Sequence, residues 1–578
     1  MAISRQIPIR TSTGKSTIIS GLNVLRLFDF HGGINTSVDP SMILDYETPY
    51  AINCYAKDSG AVETREGYDA VTDSSLGATK MLGGHKMYTA AGGEYVLWAH
   101  GGNIYLNIAT SSFKTILTLS RDTNVVTVNT ATAHGMTTGD TVRIYGALNT
   151  AFDGTFTLLS GSGTSFTYSQ AGTNASTTGG KAIKAIKIGL STTNNYDFCQ
   201  IVLGGTEYTV ISDRAGNLQK FDGTSVTQLV ARNGKFPVWH KERLFVIDAT
   251  DKNTLYASVT LNPSDFTTLV NSSSTDPYNV SIGKGDGDQV MWLGVVNDNI
   301  TALKRNNIYV LYSSDDSDSA SLEQAPSGVG CVSSDGVGKY KGVIYFPSED
   351  GVYAFDGSLS YKVSKRIQSE YDNIANKDGI VGVCFGGWYY MSYTVAGGTY
   401  NTEVLAYDID NQAWWKFTNM GPNCFIPFIN GDDDEALYFG SSTTGIVYQM
   451  FTGTNDNGSA IQAELRTKYL DMGLPERKKR HRRIYPHFKT NSASTQFGYD
   501  HDFNNGPIYS TISTTGGTSL WGTFKWGVDK LGTPGLLTER VPITGQARYT
   551  QFRVKNYNLD EKFQFLGISD FWNPRRPI

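Results

Sequence analysis

The chain has 578 residues, of which 39% are hydrophobic and 18% are charged, and its formal net charge is -5 at pH 7. This length exceeds what one hydrophobic core supports, so we expect several domains. The negative net charge excludes a global basic field that would gather nucleic acid, but it does not exclude a local basic patch. We expect neither a secretory signal nor a transmembrane segment, because no apolar run is long enough.

The composition favours short strands joined by tight turns. The chain contains 62 Gly, 33 Tyr and 27 Phe, which suits β-hairpins better than helices. The only helical candidate of any length, residues 363–374, is weak. The cysteines form no CxxC pair, and we predict that they are buried and reduced, as in a protein folded in a reducing cytoplasm. They are Cys54, Cys199, Cys331, Cys384 and Cys424.

The chain is predicted to begin with a polar N-terminal arm, residues 1–20. Within it, Gly14-Lys15-Ser16 resembles the end of a phosphate-binding loop. The full pattern needs a glycine five residues before Gly14, where this chain has Ile9. We therefore interpret the segment as an arm without nucleotide chemistry.

A repeated hairpin dominates the next part of the chain. Each copy pairs two short runs rich in aromatic and β-branched residues across a Gly, Asn or Asp turn. From the copy at Arg243 onward, successive copies are roughly 40 to 60 residues apart, which is the period of propeller blades. The first runs of the hairpins begin at Glu94, Tyr208, Arg243, Ile300, Val343, Trp388 and Ala436. The pattern predicts a β-propeller in two parts, residues 21–118 and 185–455.

One interval is about twice as long as the others, and its sequence has a different texture. Residues 119–184 alternate strictly between apolar and polar residues in a background rich in Thr, Ser and Gly. Removing them restores the repeat. We predict that they form a small inserted β-barrel or sandwich.

The pattern changes again near Phe451. Strands that alternate like half-exposed ones recur after this point, for example at residues 463–470 and 549–554. We predict that residues 456–578 form a separate antiparallel β-sandwich. The expected fold class is therefore all-β: a propeller with a small inserted β domain and a C-terminal sandwich.

Motifs that would carry chemistry are scarce. The sequence contains neither HExxH nor GxSxG. His481, His487 and Asp500-His501-Asp502 could converge on a metal, but nothing fixes a ligand geometry, and surface polar residues are the simpler interpretation. Aspartates recur at equivalent turns, at Asp222, Asp356 and Asp408, where turn chemistry explains them. We predict no catalytic residue, cofactor, metal or small-molecule substrate.

Two acidic clusters lie where loops are expected. Neither has the spacing of a calcium-binding loop. They are either solvated loops or the lining of an acidic lumen that keeps passing DNA from adhering, since like charges repel phosphate. Their residues are Asp315, Asp316 and Asp318, and Asp432, Asp433, Asp434 and Glu435.

The strongest charge feature is a basic run at residues 477–483. It contains one histidine and no aromatic residue until Tyr485, so a nucleic-acid groove with stacking platforms is the least favoured interpretation. A protein–protein contact and a solvated strand edge are both open. The candidate interface residues are Arg477, Lys478, Lys479, Arg480, Arg482 and Arg483.

Several short motifs carry a family resemblance. They are Phe30-His31-Gly32-Gly33-Ile34-Asn35, Pro40, Glu47, Ala51-Ile52-Asn53, the segment from Gly60 through Arg65-Glu66-Gly67-Tyr68, and Lys468-Tyr469-Leu470-Asp471-Met472-Gly473 before the basic run. They resemble the tail nozzle and tail-hub structural proteins of short-tailed bacteriophages of the podovirus type. The inserted domain likewise resembles small β modules of phage structural proteins.

The resemblance implies a non-enzymatic virion protein made in the host bacterial cytoplasm. Such a protein is a homo-oligomer, a hexameric ring of β-propeller subunits in the phage tail. It attaches below the portal and adaptor, contacts tail fibre or spike proteins, and forms the channel for DNA ejection, through which DNA passes transiently and without sequence preference. The alternatives are a tail-tip or receptor-binding virion protein and, in a different class, a β-propeller glycan-active enzyme with paired carboxylates at one propeller face.

Overall fold

The computed structural model describes residues 23–57, 60–72, 74–268, 273–429, 435–489, 493–514 and 537–575. Within these ranges the protein is almost entirely β-structure. Its helical elements there are the α-helix Gln368–Asp372 and the 3-10 turns Thr110–Ser112, Thr150–Phe152 and Lys365–Ile367. No helix in this part of the chain is long and apolar enough to cross a membrane. The predicted all-β fold class is confirmed.

Seven antiparallel sheets in the described residues form the blades of a propeller. The strands are given from the innermost to the outermost. Blade 1 contains Met81–Tyr88, Glu94–His100 and Asn103–Leu106; blade 2 contains Asp197–Leu203, Thr206–Ser212, Asn217–Phe221 and the first half of Val226–His240; blade 3 contains the second half of Val226–His240, Arg243–Asp248, Thr254–Ala257 and Tyr278–Ser281; and blade 4 contains Val290–Val296, Asn299–Lys304, Ile308–Tyr312 and Ser321–Gln324. Blade 5 contains Gly338–Tyr340, Val343–Pro347, Val352–Phe355 and Ser360–Lys362; blade 6 contains Val381–Phe385, Trp388–Tyr393, Glu403–Asp408 and Ala413–Thr418; and blade 7 contains Pro422–Ile429, Glu435–Ser441, Val447–Met450 and Tyr68–Ala70. Each predicted hairpin supplies the second strand of one blade.

The blades close into a ring because each buries its apolar face against the next. Successive blades share hydrophobic clusters around the whole circle. At the closure, Ile426 and Val447 of blade 7 pack with Met81 and Trp98 of blade 1. The outer strand of blade 7 comes from the N-terminal part of the chain, since Tyr68–Ala70 pairs with Val447–Met450. This pairing joins two distant parts of the chain within one blade.

The inserted segment is a closed six-stranded barrel that projects from blade 1. Around the barrel the strands follow the order Lys114–Asp122, Val125–Thr130, Ser165–Ser169, Gly154–Ser162, Thr141–Tyr145 and Lys181–Ala185, which returns to the first; Ala175–Thr177 also pairs with Lys114–Asp122. The barrel has its own core, which includes Leu119, Phe152 and Phe166. After the barrel the chain rejoins the outer edge of blade 1, where the Ile104 N–H donates to the Lys187 carbonyl at 2.9 Å.

The C-terminal region contains two sheets that share a core. The first extends blade 6 through Tyr50–Ile52, Ala463–Arg466, Thr550–Asn556, Ser494–His501 and Ile508–Ser513. The second contains Leu537–Thr538, Lys479–Phe488, Gln564–Pro574, Val62–Thr64 and Cys54–Ala56, with Asn23–Leu27 also paired to Gln564–Pro574. Two short pairs complete the strands: Gly33–Ile34 with Glu47–Thr48, and Asn455–Asp456 with Ser459–Ala460.

The prediction of a separate C-terminal domain at 456–578 was wrong in its boundaries. Strands from residues 23–64, which were assigned to the first part of the propeller, complete both sheets of the sandwich. The parallel pairing of Ile52 with Lys416 makes one sheet continuous with blade 6. The physical reason is that the C-terminal strands alone leave sheet edges unpaired, and the N-terminal strands cover them.

Candidate functional site

The basic run leads into a strand of the sandwich that is paired along one side and bridged at separate points on the other. Lys479–Phe488 pairs with Gln564–Pro574 along one side. On its other side it meets Leu537–Thr538, and single bridges join Lys479 to Ala547 and Ile484 to Val541. Within the run, the described residues bond the second edge only at Lys479, so the two interpretations, a protein–protein contact and a solvated strand edge, both stay predictions.

Strand geometry separates the basic side chains into exposed and buried groups. Arg480 is exposed and its neighbours Lys479 and His481 are buried, as the alternation of a strand requires. The register shifts between His481 and Arg483, and this irregularity places the consecutive residues Arg482 and Arg483 both in solvent. Lys478, just before the strand, is also exposed, and Arg477 is half-buried.

Lys479 is an anchor and not part of the exposed surface. Its side chain is 1% exposed, and its ammonium donates hydrogen bonds to the carbonyls of Leu474 and Arg548. Burial lowers the pKa of this ammonium. The prediction that Lys479 is an interface residue is wrong, because its charge is used inside the subunit to fix the turn before the strand.

The exposed side of this sheet carries a cluster that we call the basic face: Arg26, Lys478, Arg480, Arg482 and Arg483. Cross-strand pairing places Arg483 beside Phe571 and Arg26 beside Ser569. The ring of Phe571 lies 5.8 Å from that of Tyr485 at 82°. Within the described part of the chain, none of the basic-face cations forms an ion pair with a carboxylate. The face therefore presents uncompensated positive charge on a rigid support.

Beneath the basic face lies a buried polar chain. His481 Nδ1 lies 2.7 Å from Asp570 Oδ2, and His481 Nε2 lies 2.9 Å from the Thr550 hydroxyl. The same hydroxyl lies 3.1 Å from His501 Nδ1. This order of Asp, His and Thr resembles a catalytic triad, but Thr550 is 1% exposed and shared by two imidazoles. The chain of polar groups holds the sheets together and offers no accessible nucleophile.

The candidate metal ligands do not converge. His481 and His501 meet at Thr550, whereas His487 lies apart and contacts the hydroxyls of Thr538 and Ser569. Across the described ranges no group of three or more His, Cys, Asp and Glu side chains is placed to hold a metal ion.

Of the two acidic clusters, only the one at Asp315, Asp316 and Asp318 lies wholly within the described residues. Asp432, Asp433 and Asp434 lie outside the described residues, and Glu435 is exposed at the start of a blade 7 strand. The other cluster, Asp315, Asp316 and Asp318, joins the third and fourth strands of blade 4, away from the propeller axis.

The blade 4 loop is anchored to blade 3. Lys241 Nζ lies 3.3 Å from Asp315 Oδ1, and Arg243 Nε donates to the Asp315 carbonyl at 3.1 Å. Asp316 accepts from the Asp318 N–H and the Ser319 hydroxyl, and these bonds lower the pKa of Asp316. The carboxylates thus shape a turn. That they also line an acidic lumen stays a prediction.

The recurring turn aspartates have the expected turn geometry. Asp222 accepts from the N–H groups two and three residues later, and Asp356 and Asp408 repeat the same pair of bonds. Each is thus engaged within its own hairpin.

Polar side chains close one end of the propeller axis. Arg214 of blade 2 pairs with Asp197 of its own blade and with Asp335 at the start of blade 5. Asn195 donates to Asp335 at 2.9 Å and accepts from Asn423 of blade 7 at 3.0 Å. Because blades 2, 5 and 7 are not neighbours, these bonds cross the central opening. Sequence reasoning missed this cluster, since no local pattern connects positions so far apart.

No protein-family model matches the chain, and no curated protein matches it. Among solved structures, BamB from Moraxella catarrhalis is similar at 13% identity over 44% of this chain and 84% of that chain, with a TM-score of 0.28. The Pan2 WD40 domain of Neurospora crassa is similar at 10% identity over 44% of this chain and 90% of that chain, with a TM-score of 0.24. At these TM-scores the likenesses carry no functional argument.

Proposed function

We propose that this chain is a virion structural protein that assembles into the hexameric, ring-shaped tail nozzle of a short-tailed bacteriophage. It attaches below the portal and adaptor, contacts tail fibres or spikes, and its ring surrounds the channel for DNA ejection. The proposal rests on the resemblance of its short motifs and on the basic face, the one observation on which its assembly role depends.

The basic face suits an assembly role because its charges are fixed and uncompensated. An exposed ion pair contributes only about 0.2–1 kcal/mol by itself, but clustered charges of one sign steer a partner of opposite sign. In a chain of net charge -5, the complementary partner is an acidic surface. The acidic sequence Asp432–Glu435 of an adjacent subunit, or an adaptor above the ring, supplies that surface in the proposal.

The polar closure of the propeller axis bears on where DNA would pass. Side chains of blades 2, 5 and 7 cross the axis at one end, so the proposal places the DNA channel between subunits and not through a single propeller. A ring of copies is then a requirement of the function.

The experiment is charge reversal on the basic face. The double variant Arg480→Glu and Arg482→Glu should lower the assembled fraction in sedimentation velocity, and wild-type assembly should weaken as salt rises, because screening shortens the reach of exposed charges. The matched control is Lys252→Glu with Lys365→Glu, which reverses two exposed cations on blades 3 and 5. If the basic-face variant assembles to the same extent as the wild type, and its assembly does not depend on salt, this role is ruled out.

A further inference from the structure

A cavity of about 200 Å³ opens where blade 6 meets the N-terminal strands of the sandwich. Six aromatic side chains line it: Tyr55, Phe385, Trp388, Tyr390, Phe417 and Phe451. The other two lining residues are Glu66 and Gly386. Apart from its two chain neighbours, no residue has an atom within 4 Å of the place where a Cβ of Gly386 would stand, so there is open space beside this lining residue.

The aromatic walls brace one another. Trp388 and Tyr390 lie nearly parallel, with ring centroids 6.3 Å apart at 15°, and Tyr55 meets Trp388 edge-on at 5.6 Å and 78°. Phe385 and Phe451 are parallel within 7°. Tyr390 is 6% exposed, so the wall that it forms is backed by the core. The cavity therefore has preformed sides.

Glu66 supplies the charge of the cavity. Its side chain is half-buried, and within the described residues its carboxylate has no hydrogen-bond or ion-pair partner. The nearby cations have other partners: Arg65 pairs with Asp456, and Lys57 pairs with Glu63. Lys562 is close enough for an electrostatic interaction with Glu66 but has interactions of its own. A carboxylate between aromatic walls favours a cation.

The number of N–H donors on a cation decides which class of cation this cavity can hold. Aromatic faces attract cations, but they satisfy N–H donors poorly. A guanidinium carries five N–H donors and a primary ammonium carries three, and one carboxylate cannot accept from all of them. A quaternary ammonium has no N–H to satisfy. We propose that this cavity binds a quaternary ammonium group of the choline class.

The direct test is calorimetric titration of the full chain with choline and with its neutral isostere 3,3-dimethylbutan-1-ol. The two ligands have the same shape, so any difference reports the charge. Choline should bind at millimolar concentration, and the isostere should bind at least about tenfold more weakly, as about 1.4 kcal/mol of cation–π and carboxylate attraction implies. Equal affinity, or no choline binding, would overturn the proposal.

Two variants locate the binding at this cavity. Glu66→Gln removes the charge at constant shape and should weaken choline binding about tenfold, and Trp388→Ala should weaken it by a similar factor, with Trp388→Phe restoring part of the loss. Asp410→Asn, which neutralises an exposed carboxylate lining the adjacent pocket, is the matched control and should leave the affinity unchanged. Unaltered binding in folded Glu66→Gln and Trp388→Phe would place the site elsewhere and contradict the assignment.

Quaternary ammonium groups occur both on free small molecules and on lipid headgroups. A second titration distinguishes these two sources. Phosphocholine and vesicles of phosphatidylcholine or phosphatidylglycerol are compared by the same readout. Binding of choline and phosphocholine without phosphatidylcholine vesicles indicates a soluble or polymer-borne ligand. Binding of phosphatidylcholine vesicles, abolished by Glu66→Gln, indicates a lipid headgroup. Preference for phosphatidylglycerol vesicles in both wild type and Glu66→Gln would contradict recognition of the ammonium.

Discussion

Single residues of the N-terminal motif hold the propeller to the sandwich. Arg65 is 1% exposed and uses all of its N–H groups: it bonds the carboxylate of Asp456, the amide oxygen of Asn53 and the carbonyls of Glu66 and Thr418. Next to it, a Cβ on Gly67 would lie 1.8 Å from the Asn455 carbonyl oxygen, so only glycine fits. The sequence indicated Arg65 and Gly67 as motif residues. It could not identify Asp456 as the partner of Arg65, because the two residues are 391 positions apart in the chain.

Arg65→Ala is therefore expected to destabilise the fold strongly. It leaves the buried Asp456 carboxylate without its partner, which typically costs about 3–5 kcal/mol. Arg65→Lys should recover only part of this, because an ammonium cannot form the planar bidentate pair. Urea unfolding followed by tryptophan fluorescence measures the loss. As a control, Arg305→Ala breaks the exposed pair with Asp378 and should change stability by less than about 1 kcal/mol; equal effects of the two variants would contradict a structural role for Arg65.

His100 gives the fold a defined pH dependence. Burial lowers the pKa of His100 from the ordinary 6.5 to about 4, and its Nε2 contacts Thr79. The unfolded chain binds a proton at His100 below about pH 6.5, whereas the folded chain stays neutral there until about pH 4. Stability from this group is therefore full above pH 6.5 and is lost as the pH falls towards 4.

The expected size of this loss is about 3 kcal/mol between pH 6.5 and pH 4, at about 1.4 kcal/mol per unit of pKa shift. Urea midpoints of wild type and His100→Gln at pH 7 and pH 4.5 measure it. The variant should show a smaller drop in midpoint between the two pH values. An equal drop in both proteins would show that other groups cause the acid sensitivity.

At the scale of elements, the sequence predicted what is local. Each blade contains a hairpin whose two strands are close in the chain, so alternation and turn residues suffice to locate it. The outer strand of blade 7, Tyr68–Ala70, and the strands Asn23–Leu27 and Tyr50–Ile52 of the sandwich pair with partners hundreds of residues away. Such pairings depend on which sheet edge is left open after the blades form, and this is not encoded in any short window.

The barrel is the element that the fold should tolerate losing. It has its own core, and its first and last strands are paired where Thr115 meets Lys181. Replacing residues 116–180 with a two-residue Gly/Ser turn should therefore leave the rest folded. The design keeps Phe113, Ile183 and Ala185, which pack against blade 1.

Circular dichroism and the thermal midpoint of the remaining protein test this deletion. The spectrum should stay β-rich, and the midpoint should stay close to that of wild type. As a control, deletion of Asn299 to Gln324, which removes three of the four strands of blade 4, should abolish soluble expression because it opens the ring. Loss of folding in the barrel deletion would show that the barrel supports the propeller.

At the scale of the whole molecule, the candidate site was only partly predictable. The sequence located the basic run, but the structure was needed to separate exposed Arg480, Arg482 and Arg483 from buried Lys479 and His481, because the irregularity in register between His481 and Arg483 depends on the partner strand. The closure of the axis by Arg214, Asn195 and their partners likewise arises only when the seven blades are arranged in a circle.

The central claim is that copies of this chain form a ring, and electron microscopy of the purified protein tests it most directly. Two-dimensional class averages should show a six-fold ring with a central hole, at six times the subunit mass of 63.1 kDa by mass photometry. The Arg480→Glu and Arg482→Glu double variant should shift particles towards the subunit mass. A three-fold rod, or a single propeller at every concentration and salt tested, would contradict the account.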